Sequence, residues 1–359
     1  MRPIDRREFL QTGRAGLALP VLATSSARAT RAPKRVKVGQ IGVGHGHATK
    51  IEVFRASDDY EVVGIVEPDA ELRTKAEGLP PYRGLKWMSQ TELLETPGLD
   101  MVLVETRVAD LLDAAEACLA AGKHVHLDKP AGASLPRFQR LLDIAERDRL
   151  VLQMGYMFRY NPAIVLLRRF LERGWLGEVF EVHGVMSKVV GPDDRARLGA
   201  FSGGMMFELG CHLIDLIVSV LGKPDEVTPF LQHVAKSDDR LTDNTLAVLR
   251  YPRALASVKS SALEVDGFAR RHLVVCGTEG TFHVQPLDNP KAIVSLAKPR
   301  ESITRDQQVI SFPPYRRYVD DAADLARMIR GEKTADFPPR HDRDVQETVL
   351  RAAGMPLNV

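Results

Sequence analysis

Val36-Lys37-Val38-Gly39-Gln40-Ile41-Gly42-Val43-Gly44-His45-Gly46-His47 is the stretch that decides the fold. The apolar run 36–41 leads into a glycine turn and then into a helix-like segment, 48–56. Strand, glycine turn and helix start together make a dinucleotide site. Glycines let the backbone approach a pyrophosphate closely, and the amides and dipole of a helix N-terminus favour its charge. The turn departs from GxGxxG in one respect: His47 holds the third glycine position and Gly46 stands one place early, which alters the packing of helix on strand. The cofactor-binding candidates here are Gly42, Val43, Gly44, His45, Gly46 and His47.

The next apolar run, 61–66, ends in Glu67-Pro68-Asp69, with Glu67 25 residues after Gly42. That spacing makes Glu67 the candidate for the adenosine ribose. A carboxylate there accepts from the 2′-OH and repels a 2′-phosphate, which favours NAD over NADP; Arg73 is near enough to keep NADP open. Further strands are expected at 100–105, 124–127 and 151–154. Between the first two, 108–121 has helical spacing and Gly122 suits its C-terminal cap. The alternation implies a doubly wound parallel sheet over residues 36–155. In such sheets ligands lie beyond the carboxyl ends of the strands, which adds Glu105, Thr106, Asp128 and Lys129 to the candidates.

After residue 155 the texture changes. A helix at 162–173, a strand at 178–188 and a long helix at 205–221 precede strands at 246–251, 255–262, 272–276 and 281–285. The order predicts, for 156–359, an α+β domain with a mostly antiparallel open sheet. Residues 193–197 read as a charged, proline-preceded loop placed to cover a site. Residues 315–330 and 343–353 read as terminal helices.

The first 29 residues resemble a twin-arginine export signal. Asp5-Arg6-Arg7-Glu8-Phe9-Leu10 is followed by a weakly apolar run, 15–23, and by Ala27-Arg28-Ala29. The apolar core is too short for a permanent membrane anchor. Cleavage after Ala29 would leave 330 residues with 44 basic against 45 acidic side chains, so the basicity belongs to the signal and argues against nucleic acid as a partner. The expected destination is periplasmic or otherwise extracytoplasmic. Cys118, Cys211 and Cys276 are widely spaced without a CxxC pair, which indicates neither a zinc site nor a disulfide framework.

The densest chemistry lies in Gly203-Gly204-Met205-Met206-Phe207-Glu208-Leu209-Gly210-Cys211-His212-Leu213-Ile214-Asp215. At helical spacing Glu208, His212 and Asp215 share one face, and burying them unpartnered would be costly, which points to a site. A plain Glu–His pair with Asp215 on a solvated stripe accounts for the same spacing. Two carboxylates and one imidazole without a further cluster make a weak case for metal, and none is assigned.

Five motifs in order, namely 41–47, Ala121-Gly122-Lys123-His124-Val125-His126-Leu127-Asp128-Lys129-Pro130, Arg159-Tyr160-Asn161-Pro162, 204–215 and Gly277-Thr278-Glu279-Gly280-Thr281, resemble the Gfo/Idh/MocA oxidoreductases. The resemblance spans essentially the whole chain after residue 29. It implies a Rossmann domain followed by an α/β domain with an open sheet, bound NAD, and action on a sugar, polyol or sugar derivative. It places Lys129 beside the nicotinamide and reacting carbinol, with Asp128 where the family has Glu. It makes His212 the helix histidine and puts Glu208 where Asp is usual. On this reading Lys129, His212 and Glu208 are catalytic, with Glu208 or Asp215 orienting the imidazole, and Asp215, Arg159, Tyr160 and Asn161 face the substrate. Without the resemblance, Lys129 reads as a surface lysine before Pro130. Association through the open sheet face, as a homo-oligomer, is also implied.

Three departures stand out: His47 for glycine, Glu105-Thr106-Arg107-Val108 for a Thr-Pro-type turn, and Glu208 for Asp. Export adds a constraint, because outside the cytoplasm little free NAD is available for exchange. A tightly held cofactor, reduced and reoxidised within each cycle, follows. The chemistry is then either oxidation coupled between two sugars or a redox-neutral elimination through transient oxidation, as in the family's glycosidase branch. A non-catalytic sugar-binding protein is the reading from a different class.

Overall fold

The computed structural model describes residues 34–199 and 202–358; the export signal read at 1–29 lies outside them. Five strands, β1 (Val36–Ile41), β2 (Tyr60–Val66), β3 (Met101–Val104), β4 (His124–Leu127) and β5 (Leu152–Met154), form a parallel sheet in the order β2-β1-β3-β4-β5. All four residues of β3 are buried, as expected of a parallel strand covered on both faces. Winding reverses between β1 and β3, and the crevice at that switch point holds the glycine turn on one side and Glu105-Thr106 on the other. Helix Leu135–Arg147, not singled out from the sequence, buries Leu135, Phe138, Leu141, Leu142 and Ala145 at helical spacing.

The second sheet has eight strands: β6 (Val179–Val185), β7 (Glu226–Gln232), β8 (Asn244–Arg250), β9 (Leu255–Ser261), β10 (His272–Gly277), β11 (Gly280–Val284), β12 (Lys291–Leu296) and β13 (Gln308–Ser311). Their order is β13-β12-β11-β10-β6-β9-β8-β7, antiparallel except for the β6–β9 pair. Helices Pro162–Glu172, Cys211–Leu221 and Pro339–Ala352 pack against it. The α/β plus mostly antiparallel architecture expected from the sequence is therefore the architecture found.

Three segments differ from expectation. Residues 193–197 are not a loop but part of helix Pro192–Leu198, with proline in its first turn and Asp193 and Asp194 at its positive end. Arg195 ties it down through Asp239 and Asp243, each at 2.8 Å. The helix expected from 315 begins at Val319, because Tyr318 takes a left-handed φ of 69°. Its Ala322, Leu325, Ala326 and Met328 join a core with Val36, Ile51, Phe54 and Tyr60, so this late segment packs on the first sheet, not the second. The long helix 205–221 is interrupted: Met206–Gly210 is a π-helical turn and only Cys211–Leu221 is α-helical.

Candidate active site

The glycine turn behaves as a dinucleotide cradle. Gly42 has φ +92°, and a Cβ there would lie 2.5 Å from the backbone of Thr106, so no other residue fits. Val43 N–H donates to Glu67 Oε2 at 2.8 Å and Asp69 N–H to Oε1 at 2.9 Å, which fixes the Glu67 carboxylate at the end of β2. The Gly44 and Gly46 amides have no partner among the described residues and are free for an anion. Glu67, Asp69, Leu72, Thr106 and Arg107 line the adjoining cleft. The cation at that cleft is Arg107, paired with Asp69 at 2.8 Å; Arg73 instead pairs with Glu77 and stacks on Trp87. The turn runs first into a 3₁₀ turn, Ala48–Lys50, and then into helix Ile51–Ala56, in place of a single helix.

Beneath the turn lies a buried ionic cluster. Lys50, fully buried, places Nζ 2.8 Å from Asp128 Oδ2, 2.9 Å from Glu105 Oε1 and 3.0 Å from His126 Nε2. Neither Glu105 oxygen receives a well-aligned hydrogen bond. Burial, then the adjacent Asp128, raise the Glu105 carboxyl well above the carboxylate range. Burial opposes ionisation of Asp128 as well, yet His45, Lys50 and His47 together hold it well below that range. The Glu105 side chain is thus turned away from the cofactor cleft, correcting its expected role; only its backbone borders the turn. Lys50 gave no motif signal, since a lysine three residues past His47 reads as an ordinary exposed helix position.

Asp128 is the hub. Its Oδ1 accepts from Lys129 N–H at 2.6 Å and lies 3.1 Å from His47 Nδ1, while Oδ2 lies 3.1 Å from His45 Nδ1. His45 Nε2 donates to the Lys129 carbonyl at 3.0 Å. His45, His47 and Asp128 carry the donor set of a metal site, their ligand atoms within 4.8 Å of one another. Those donors are spent on each other and on the Lys50 ammonium, which already supplies the positive charge.

Lys129 and the π-helical turn meet across the interface of the two sheets. Lys129 is 2% exposed, and its Nζ donates to the Glu208 carbonyl at 2.8 Å and reaches Oε1 at 3.5 Å. Burial opposes the Lys129 charge, but Glu208 more than restores it, raising the ammonium's pKa. Glu208 stands within the π-helical turn, a distortion that recurs at functional sites, and its carbonyl also accepts from Cys211 Sγ at 3.4 Å. Glu208 pairs with Lys129, and Asp215 pairs with Arg159 at 2.6 Å and His341 at 3.2 Å. Neither carboxylate orients His212, correcting that expectation.

His212 is 1% exposed, among Tyr156, Phe158 and His47 at ring separations of 6.0, 5.5 and 5.8 Å, and its buried Nδ1 has no hydrogen-bond partner. Burial, then the Lys129 and His47 charges, push it well below the usual imidazole pKa. Its neighbour His47, by contrast, has a carboxylate oxygen, Asp128 Oδ1, 3.1 Å from its Nδ1. Lys188, half-buried near Glu208, Lys129 and Arg271, has its pKa lowered chiefly by burial and escaped the sequence reading.

The residues expected to face substrate are otherwise engaged. Arg159 is closed in by Asp215 and Asp342 and lies over the Phe337 ring at 4.2 Å. Tyr160 donates to Asp324 at 2.6 Å. Asn161 caps helix Pro162–Glu172 and donates to the Leu287 carbonyl at 2.7 Å. These four side chains hold elements together beneath the site.

Comparison with known proteins bears on the family. Residues 36–156 match the oxidoreductase family with an NAD-binding Rossmann fold, and residues 164–283 match the GFO/IDH/MocA C-terminal domain. The chain is 26% identical over 256 residues to the uncharacterized oxidoreductase YdgJ of Escherichia coli, covering 70% of this chain and 72% of that one. It is 26% identical over 255 residues to the myo-inositol 2-dehydrogenase of Thermotoga maritima, covering 68% and 74%. In fold it is similar to GenD2 from gentamicin A biosynthesis, solved in complex with NAD, at a TM-score of 0.74 and 22% identity, with 91% of this chain and 96% of that one covered. With both halves matched in order, this chain belongs to the NAD-binding oxidoreductases of the Gfo/Idh/MocA family.

Proposed function

We propose that this oxidoreductase acts on a secondary carbinol of a sugar, polyol or sugar derivative, with a dinucleotide that stays bound through the cycle. The observation that carries the reading is the Lys129 ammonium, buried and held 2.8 Å from the Glu208 carbonyl beside His212 and His47. Gly42, Gly44 and Gly46 would take the pyrophosphate and Glu67 the adenosine ribose, where NAD suits the carboxylate better than NADP. Bound NAD supplies the two-electron acceptor for the carbinol C–H. Lys129 would hold the carbinol oxygen and stabilise negative charge as the O–H weakens, in a site where low dielectric strengthens that contact. A neutral imidazole would take the proton. The T. maritima relative's name, a myo-inositol dehydrogenase, agrees with a polyhydroxylated ring.

Export as a folded protein explains why the nucleotide should be retained, and association through the open face of the second sheet would leave this site free. A redox-neutral elimination is favoured by one feature, the two imidazoles with ring centres 5.8 Å apart, since that route moves a second proton from carbon. Purifying the chain without added cofactor, denaturing it and identifying released nucleotide by mass spectrometry tests the reading. About one NAD per chain is expected; an empty protein that also fails to bind added NAD sinks it. Product analysis then separates the routes: oxidised sugar for dehydrogenation, free aglycone without net redox change for elimination.

A further inference from the structure

We propose that His47, oriented by Asp128, is the proton acceptor of the reaction, a role created by the histidine that replaces the third glycine of the dinucleotide turn. The proposal rests on the oxidoreductase reading above. His47 Nδ1 lies 3.1 Å from Asp128 Oδ1, and a carboxylate there selects the tautomer with the proton on Nδ1. Nε2 is then the bare, basic nitrogen, and it has no hydrogen-bond partner among the described residues. Asp128 itself is immobilised by Lys50 and the Lys129 amide, so the carboxylate has one position in which to hold the ring.

Placement agrees with this role. The His47 ring lies 5.8 Å from that of His212 and 5.9 Å from that of Tyr318, and its neighbour through Asp128 is Lys129, the oxygen-holding group. His47 is 17% exposed at its side chain, whereas His212 is sealed and has no carboxylate to stabilise a proton. Groups facing His47 are Asp128 and Lys129 from the loop after β4, His45 and Lys50 from its own segment, His212 and Glu208 from the interrupted helix, and Tyr318. Burial lowers the His47 pKa to about 4 against the pull of Asp128, which keeps the ring neutral, and so able to accept, at neutral pH.

In the step, the carbinol O–H bond breaks and its proton passes to His47 Nε2. The C–H electron pair leaves as hydride to the oxidised nicotinamide, and the carbon–oxygen double bond forms. Substrate loses two electrons and the nucleotide gains them. The imidazolium is compensated by Asp128.

The test compares wild type with His47→Gln, His47→Gly and Asp128→Asn, each with its nucleotide content measured. Selective ¹⁵N-histidine NMR reports the His47 tautomer directly. Absorbance at the reduced-nicotinamide band reports single-turnover reduction with glucose, myo-inositol and N-acetylglucosamine as probes. The expected results are an Nδ1–H tautomer in wild type that Asp128→Asn abolishes, and a rate about a hundred- to ten-thousand-fold lower in His47→Gln at unchanged nucleotide content. Added imidazole should restore part of the rate in His47→Gly, which a packing role would not permit. An unchanged rate in His47→Gln, or nucleotide lost in step with activity, overturns the proposal and makes His47 a bystander or a cofactor ligand. Should wild type reduce its nucleotide with none of the probes, the reading of the previous subsection fails on its own, and an Nε2–H tautomer at His47 would still overturn the dyad.

Discussion

His47 and His212 show how little a residue's type says about its work until its partners are known. Both are histidines near Lys129, but only His47 has a carboxylate on its ring nitrogen, and only His212 is sealed with an unpartnered Nδ1. Asp321 makes the same point for stability. It sits in the first turn of helix Val319–Ile329, 5% exposed, with Oδ2 unpartnered, and burial pushes its carboxyl up to about 7. Its pKa is raised on folding, so the folded chain binds a proton that the unfolded chain releases near the ordinary value of 3.8. The stabilisation is complete below that value and is lost as pH rises towards 7. Asp321→Asn should therefore be close to neutral for stability near pH 4 and stabilising by about 1–3 kcal/mol at pH 8. Denaturant melts at the two pH values check this; equal shifts at both would contradict it.

At the scale of elements, the π-turn Met206–Gly210 and the last helix, Pro339–Ala352, do most to place Lys129. The first carries the Glu208 carbonyl that accepts from the ammonium. The second reaches across with Gln346, whose Oε1 accepts from Ala131 N–H at 3.2 Å and whose Nε2 donates to the Gly132 carbonyl at 2.7 Å. That side chain is 1% exposed, so its loss strands two backbone groups just beyond Lys129-Pro130. Gln346→Leu should cost about 1–3 kcal/mol, the penalty for unsatisfied buried polar groups. It should also slow hydride transfer while leaving nucleotide content intact. Chemical denaturation combined with single-turnover rates checks both; a stable variant with a normal rate would show that the clamp is dispensable.

Over the whole molecule, the two sheets are joined by buried charge as well as by apolar packing. Arg159, from the segment after β5, meets Asp215 of helix Cys211–Leu221 and Asp342 of the last helix, and helix Val319–Ile329 returns to the first sheet, where Tyr60 donates to the Ala322 carbonyl at 2.7 Å. Burial opposes both carboxylates; Arg159 still holds Asp215 below the ordinary range, while Asp342 stays above it. Arg159→Met leaves buried carboxylates without their cation and should destabilise the chain by about 3–5 kcal/mol. The double variant Arg159→Met with Asp215→Asn should recover part of that loss. Thermal denaturation of the set is the measurement; a single variant as stable as wild type would mean the network contributes nothing.

Much was legible in the chain alone. The strand, glycine turn and carboxylate at Glu67 follow from local rules: Gly42 needs its positive φ, and apolar runs of strand length separated by helical spacing can only wind as a parallel sheet. The five motifs carried the family and the place of Lys129 in it. What the sequence could not decide was which polar side chains spend themselves on one another. Regular helical periodicity put Glu208, His212 and Asp215 together, but Glu208 falls in the π-turn and pairs with Lys129, and Asp215 is taken by Arg159 and His341. Asp193 to Arg197 read as a loop because its anchors, Asp239 and Asp243, come from a distant part of the chain. Lys50 carried no signal because its partners, Glu105 and Asp128, stand at the ends of two other strands. The strand and glycine-turn signals are set by neighbours in sequence, whereas the pairing of buried charges is set by neighbours in space, and only the tertiary structure brings those together.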